Sequence, residues 1–456
     1  MVEYQPKWVD EVLEPDGWSV SSGGVVTLGG VDVMEVARRH GTPAYLIDGK
    51  TVRARAAAYV RALKAAPPGS GAYFAMKSLA AVPLTRLLLE AGMGIDVVSY
   101  GEMLTALRAG AQGSQMILHG NNKSERELRR AVETGITVVI DGNRELERLE
   151  AVAGALRRRA QALLRLSPGI EAHTHSYILT GGEENKFGIP IVTGQAEALT
   201  LEVLASPWVE LKGYHSHIGS QILEVEPFVL NARAVMAFAA SVRERTGFWP
   251  QVVDLGGGLG IAYTEDDRPP AVAELVAAML AEVESAARAL GQRTPALWLE
   301  PGRSIVGGAG VTIYTVGERK RTPGGIEFVA VDGGMGDNPR MALYQAVYRG
   351  VLVNRVLEPP AARFTVAGRN CESGDLLTTD LALPEPRAGD ILALFSTGAY
   401  TYSMASHYNR VPKAPVLWLE DGVVKTVVRR ESEEELLAAD APPDALVRDG
   451  LEAATG

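Results

Sequence analysis

Tyr73-Phe74-Ala75-Met76-Lys77 is an apolar run that ends on a charge; an Ala/Leu-rich stretch from Ala80 to Ala91 follows, and then a second such run, Ile95-Asp96-Val97-Val98-Ser99. A strand covered on both faces reads as a near-continuous apolar run, and the segment between is rich in helix formers, so the stretch predicts a strand, a helix and a parallel strand. Outward from it the alternation continues. Further runs are Met116 to His119, Thr137 to Asp141, Ala162 to Leu166, Leu211 to His217, Val252 to Gly256 and Leu297 to Glu300. Helical patterns lie at Thr51 to Leu63, Gly101 to Ala109, Ser124 to Thr134, Arg144 to Ala160, Phe228 to Arg245 and Ala271 to Leu290. About eight strands alternating with helices is the number of a (β/α)8 barrel.

After Glu300 the texture changes to alternating Val, Thr and Tyr, broken by turn signals such as Thr322-Pro323-Gly324-Gly325 and Glu420-Asp421-Gly422. That is the composition of a β-domain. Trp18 to Leu28, with Ser21-Ser22-Gly23-Gly24 inside it, also reads as strand and turn, and is expected to join the C-terminal sheet. The predicted fold is therefore α/β, a (β/α)8 barrel plus a mostly antiparallel β-domain built from the C-terminal part with the N-terminal strand. The expected division is residues 1–44 as the N-terminal segment, 45–305 as the barrel and 306–456 as the β-domain. A short acidic helix is expected from Glu431 to Ala439.

Hydrophobic residues make up 46% and charged residues 22% of the 456, a globular balance that leaves disorder for the termini at most. The net charge of −10 has the wrong sign for binding phosphate backbones, so nucleic acid is not expected as a partner. No window approaches the roughly 18 apolar residues of a membrane span, and the N-terminus lacks a basic stretch followed by an apolar one. The expected location is the cytoplasm, with no membrane partner. One cysteine, Cys371, excludes an intramolecular disulfide and a Cys-x-x-Cys metal or redox site. It is either a buried small hydrophobe or a reactive thiol, and the acidic neighbours in Cys371-Glu372-Ser373-Gly374-Asp375 weaken the buried reading.

Catalytic groups of such barrels sit at the C-terminal ends of the strands. Here those ends carry Lys77, Asp96 with Ser99, His119, Asp141, Arg165, His217, the turn Gly256-Gly257-Gly258, and Glu300 followed by Gly302-Arg303. Lys77 is either a rim lysine that snorkels to water or an amine placed to form a Schiff base. The run Gly256-Gly257-Gly258-Leu259-Gly260 can offer backbone N–H groups to a phosphate, although glycine clusters are often plain turns and this one lacks the dinucleotide spacing. With Arg303 as countercharge and Glu300 placed to hold a pyridinium proton, the set fits a phosphate-bearing aldehyde cofactor. The pairs His173/His175 and His215/His217 have the i, i+2 spacing of a strand face and admit a zinc site, but no metal is expected, because Lys77 and Glu300 would then lack a role. His217 stacked on a cofactor ring is the simpler reading.

Several motifs resemble diaminopimelate decarboxylase, among the pyridoxal-phosphate decarboxylases with an alanine-racemase-like barrel. They are Phe74-Ala75-Met76-Lys77, His173-Thr174-His175-Ser176-Tyr177 through Asn185-Lys186-Phe187-Gly188, and His215-Ser216-His217-Ile218-Gly219-Ser220-Gln221. Further along come Glu300-Pro301-Gly302-Arg303, Asp332-Gly333-Gly334-Met335, Asn338-Pro339-Arg340 with Tyr344, the cysteine motif, and Gly398-Ala399-Tyr400 through Ser403-Met404-Ala405-Ser406. The resemblance implies pyridoxal 5'-phosphate held as a Schiff base by Lys77, with His217 on its ring and Glu300 on its nitrogen. It implies Ser220, Gly258, Gly302 and Arg303 at the phosphate with Tyr400 nearby, and Arg303, Arg340, Tyr344, Glu372 and Tyr400 at the substrate. It further implies Cys371 as proton donor and a homodimer with shared active sites, in which Cys371 and Glu372 reach the partner's site. The expected reaction is decarboxylation of meso-2,6-diaminopimelate to L-lysine and carbon dioxide, the last step of lysine biosynthesis. Chemistry agrees, since a substrate with an amino-acid group at each end needs a distal carboxylate clamp and an ammonium acceptor, as Arg340 and Glu372 supply. Ser78, Leu79, Phe74 and Tyr100 depart from the usual pattern, which keeps open a sister decarboxylase for another bifunctional amino acid, or a catalytically silent relative.

Overall fold

A computed structural model describes residues 14–170 and 186–443. Its larger unit is a parallel sheet of strands β1 (Gly71–Ala75), β2 (Gly94–Val97), β3 (Met116–Leu118), β4 (Thr137–Ile140), β5 (Ala160–Ser167), β6 (Val209–Ser216), β7 (Val252–Asp254) and β8 (Ala296–Leu299). Neighbours pair in chain order, β8 pairs with β1, and β4 pairs with β5, so the sheet closes into a barrel. Each apolar run of the sequence became one of these strands. All four residues of β4 are buried, as expected of a strand with side chains on one face and helices on the other.

The helices between are set by local signals. Ser124 and Glu127 form a capping box on Glu125–Thr134, and Gly135 ends it in the left-handed conformation. The predicted helix Arg144 to Ala160 ends earlier: Arg157 turns left-handed after Leu156, which frees Ala160 to begin β5. Two helices left unassigned by the sequence reading, Val33–His40 and Gln195–Ala205, are also present. The predicted acidic helix is confined to Glu433–Leu437.

The second unit is a mostly antiparallel sheet in which Gly310–Arg321, the first strand after the barrel, is central. One correction concerns the N-terminal strand. Trp18–Val20, Val26–Leu28 and Val31–Asp32 form a small sheet of their own rather than extending the large one. They end at turns after two or three residues, and the slot they would need is filled by Ala44–Asp48, which the sequence reading placed mostly in the barrel. Ala44–Asp48 runs antiparallel to Gly310–Ile313 on one side and parallel to Val416–Leu419 on the other. The chain thus leaves the β-domain at Asp48, builds the barrel and re-enters beside its exit, Gly310 opposite Ile47. Trp18 still packs on this domain, edge-on to Phe395 at 4.9 Å, within a core shared with Leu28, Val311 and Ile313. No helix among the described residues is long and apolar enough to cross a membrane.

Candidate active site

A cavity of about 300 Å³ opens at the C-terminal ends of the barrel strands, where the β-domain overhangs it. The barrel contributes Lys77, His217, Gly258, Glu300, Gly302 and Arg303, and the later part of the chain contributes Arg340, Tyr344, Tyr400 and Met404. Strand ends place these groups because a parallel barrel points every C-terminal end the same way.

Glu300 follows β8 and is buried, yet both its oxygens are engaged. Oε1 is in hydrogen-bond contact with His119 Nε2 and Oε2 lies 3.3 Å from His215 Nε2. Burial pushes the Glu300 carboxyl up, but the two histidines outweigh it and hold it well below the usual carboxylate range. Burial drives His215 down to about 3, so at neutral pH its imidazole is uncharged and serves Glu300 as an N–H donor. Asp254, at the end of β7, goes the other way: burial and then the Glu300 charge keep its proton on, well above the ordinary value. His119, His215, Asp254 and Glu300 offer ligand-type atoms within 4.8 Å of one another. In two of these pairs the atoms already bind each other as donor and acceptor. The i, i+2 histidine pair is likewise divided: His215 serves Glu300, whereas His217 Nδ1 accepts the Gly257 N–H at 3.2 Å. His173 and His175 lie outside the described residues.

Lys77 sits in a single 3₁₀ turn, Met76–Ser78, directly after β1. Its side chain is reached by solvent through the open cavity but is ringed by protein charges. Burial pulls its amine down, and Tyr400, Asp96 and Glu300 pull it up by more, so the free amine is a cation. Asp96, which also lines the cavity, is pushed up to about 6 chiefly by burial.

The glycine turn after β7 is shaped by close approach. A methyl group on Gly257 would lie 2.2 Å from the Glu300 carbonyl oxygen, and one on Gly258, whose φ is +117°, would lie 2.6 Å from that of Gly219. Gly257 and Gly258 thus line the cavity while packed so closely on neighbouring backbone that side chains there would collide with it. Beside it, Arg303 Nη2 donates to Ser220 Oγ at 3.1 Å, Nη1 is hydrogen-bonded to the Tyr263 hydroxyl, and the guanidinium lies over the Tyr400 ring at 4.9 Å.

Arg340 is buried at the start of the short helix Arg340–Tyr344 and lies over the rings of Tyr344 and Tyr263. Burial lowers it, but the neighbouring tyrosines, Tyr263 first, raise it above its ordinary value, so it stays charged. Its buried Nε has no hydrogen-bond partner among the described residues. Tyr263 was not singled out in the sequence, and Phe187 and Met404 appeared there only as members of motifs, without a role. Phe187 lies under Arg165 at 4.6 Å, and Asp141 accepts the Gly188 N–H at 2.8 Å, so two strand-end charges whose task the sequence left open hold the cavity wall. Tyr263 had one signal, its place three residues after the glycine turn.

Cys371 and Glu372 are not among the residues lining the cavity. Both are exposed, which excludes the buried-hydrophobe reading of Cys371. The loop is held from beneath: Asp375 is buried and accepts the N–H groups of Met335 at 2.5 Å and Asn370 at 2.6 Å, and the Cys371 N–H donates to Asn409 Oδ1 at 2.9 Å.

A family model for the pyridoxal-dependent decarboxylase, pyridoxal binding domain, matches residues 50–307. The diaminopimelate decarboxylase of Halalkalibacterium halodurans is 45% identical over 424 residues, 93% of this chain and 97% of that one. The chain belongs to the diaminopimelate decarboxylase family. The enzyme of that name from Bacillus subtilis is 44% identical, covering 92% of this chain and 96% of its own. A crystal structure of diaminopimelate decarboxylase from M. jannaschii in complex with L-lysine superposes with a TM-score of 0.87 at 31% identity, covering 94% of this chain and 98% of that one. The barrel with its β-domain is thus the architecture of the family, and the matched model spans the strands that carry Lys77, His217, Glu300 and Arg303.

Proposed function

We propose that the protein decarboxylates meso-2,6-diaminopimelate to L-lysine and carbon dioxide with pyridoxal 5'-phosphate, in a homodimer with shared active sites. The observation that carries the substrate is Arg340: a buried, charged guanidinium with an unpartnered Nε in the same cavity as Lys77 and Glu300. A bare distal ammonium would be repelled by it, whereas a distal carboxylate satisfies it. The residues present also fit the cofactor. Gly257 and Gly258 line the cavity with backbone, Ser220 and Arg303 stand beside them, and Glu300 is an anion in a buried site.

When bound, the cofactor supplies an electron sink for the bonding pair left as carbon dioxide departs. Lys77 Nζ would hold the cofactor covalently. His217, fixed through Nδ1 by Gly257, would present a flat face to the ring, and Glu300 would keep the proton of the ring nitrogen in place. Ser220, Gly258, Gly302 and Arg303 bind the phosphate, with Tyr400 beside them. Arg303 with Tyr400 reads the reacting end of the substrate, Arg340 with Tyr344 the distal carboxylate, and Glu372 the distal ammonium. Cys371 delivers a proton to the α-carbon from the partner subunit's loop, a role supported by its exposure outside its own cavity.

The test is a substrate panel with added cofactor, comparing meso-diaminopimelate with lysine, ornithine and arginine and identifying products by mass. Lysine and carbon dioxide from meso-diaminopimelate alone are expected. Preferential turnover of a substrate lacking a distal carboxylate would refute the reading of Arg340.

A further inference from the structure

The site already described contains a second layer that the reaction does not touch directly. Glu300 carries two imidazole donors, one per oxygen, from the ends of β3 and β6. His119 and His215 are themselves in edge contact, ring centroids 4.7 Å apart, and all three side chains are buried. The other titratable groups around Glu300 are Lys77, Asp96, Arg165 and Asp254. A carboxylate in such a place would ordinarily regain a proton, because burial penalises the charged form. Two N–H donors reverse that because they bond more strongly to the ionised carboxylate than to the protonated acid.

We infer that His119 and His215 are positioning residues whose hydrogen bonds keep Glu300 ionised, so that the proton shared between Glu300 and the cofactor's ring nitrogen resides on the nitrogen. This rests on the reading that Glu300 faces that nitrogen. The proton has two possible homes, nitrogen or Glu300 oxygen, and moving it between them changes no net charge and needs no other reactant. Donors on the carboxylate make the oxygen the poorer base. A protonated ring nitrogen is the stronger electron sink, so the imidazole pair controls the chemistry from behind without touching substrate. Asp254 already holds its own proton, and burial and the Glu300 charge keep it there. Its neutral form leaves the negative charge of the cluster on Glu300.

The experiment is nitrogen NMR of holoenzyme reconstituted with cofactor isotopically labelled at the ring nitrogen. Wild type should show a protonated nitrogen. His119→Ala and His215→Ala should each lower the ratio of protonated to unprotonated ring nitrogen, by about tenfold or more for loss of one charge-assisted hydrogen bond. His119→Gln, which restores an N–H donor, should recover most of the wild-type signal, and Asp254→Asn should leave it unchanged. Glu300→Gln separates the two levels of the argument. If it leaves the nitrogen protonated, Glu300 is not the ring's partner; if it abolishes the signal while both alanine variants keep it, the inference about the histidines is overturned. Should an alanine variant fail to bind cofactor, infrared spectroscopy of its apoprotein reads Glu300 directly. A new protonated-carboxyl band, absent from wild type and removed by adding Glu300→Gln, supports the inference, and its absence refutes it.

Discussion

Mixing two inactive variants, Lys77→Ala and Cys371→Ala, should regenerate active enzyme. Lys77 lines the cavity, whereas Cys371 is exposed and outside it. The cysteine loop is also tied down by the Asp375 carboxylate and by Asn409, which argues against its swinging into its own subunit's cavity. In a two-fold dimer each site would take Lys77 from one subunit and Cys371 from the other. A mixed dimer therefore has one site with both defects and one with neither. Equal amounts, exchanged at random, give mixed dimers as half of the total and intact sites as half of those, so recovery should reach about a quarter of wild-type activity per subunit. Lysine formation is measured before and after exchange, with mixed dimers quantified by native mass spectrometry. Mixed dimers without activity above the two parents would refute shared sites. The Cys371→Ala parent should keep the visible absorbance of bound cofactor, since its defect lies after cofactor binding.

Glu102 is pushed up to about 7, chiefly by burial, from an ordinary 4.5. The native protein therefore holds a proton that the unfolded chain has released across that window, and stability falls as pH rises through it. Glu102→Gln should raise the thermal midpoint near about pH 8, by an amount equivalent to at most ~3 kcal/mol, and do little near about pH 4; an equal gain at both would contradict the assignment. Lys123 and Glu145 form a buried pair at 2.6 Å. Lys123→Met should destabilise by roughly 3–5 kcal/mol by stranding Glu145, and adding Glu145→Leu should recover most of it; denaturation of both variants checks this, and no recovery in the double variant would count against it. Gly257→Ala forces a methyl to within 2.2 Å of the Glu300 carbonyl oxygen. Overpacking of about 1–3 kcal/mol should weaken cofactor binding roughly tenfold, and equilibrium dialysis showing unchanged affinity would exclude the close approach.

The barrel was legible because its strands are short and apolar and most of them end at glycine or a polar residue, a pattern carried by local sequence. Lys77, His217 and Glu300 were legible for the same reason, as endings of those runs, and Arg303 as a charge just beyond one of them. Pairings between distant segments were not. Ala44–Asp48 looks like the barrel strands in composition, and only its partners, Gly310–Ile313 and Val416–Leu419, make it part of the other sheet. Tyr263 follows no periodicity, and its meaning comes from two arginines that lie 40 and 77 positions further along the chain. The task of His119 could not be read either, because a strand-end histidine says nothing about which carboxylate it will meet.

The insertion of the barrel into the β-domain has a consequence for the protein's life on the ribosome. Ala44–Asp48 is wholly buried in the finished molecule, but its two neighbours in the sheet begin at Gly310 and Val416. At roughly 5–20 residues per second, tens of seconds of translation separate this apolar strand from the first segment able to cover it. During that interval it is an unpaired edge of the kind that recruits other chains. Early folding of the barrel leaves that interval unchanged, because both partners of the strand follow the barrel in the chain, so this short strand is where assembly should be most sensitive to crowding and to chaperone supply.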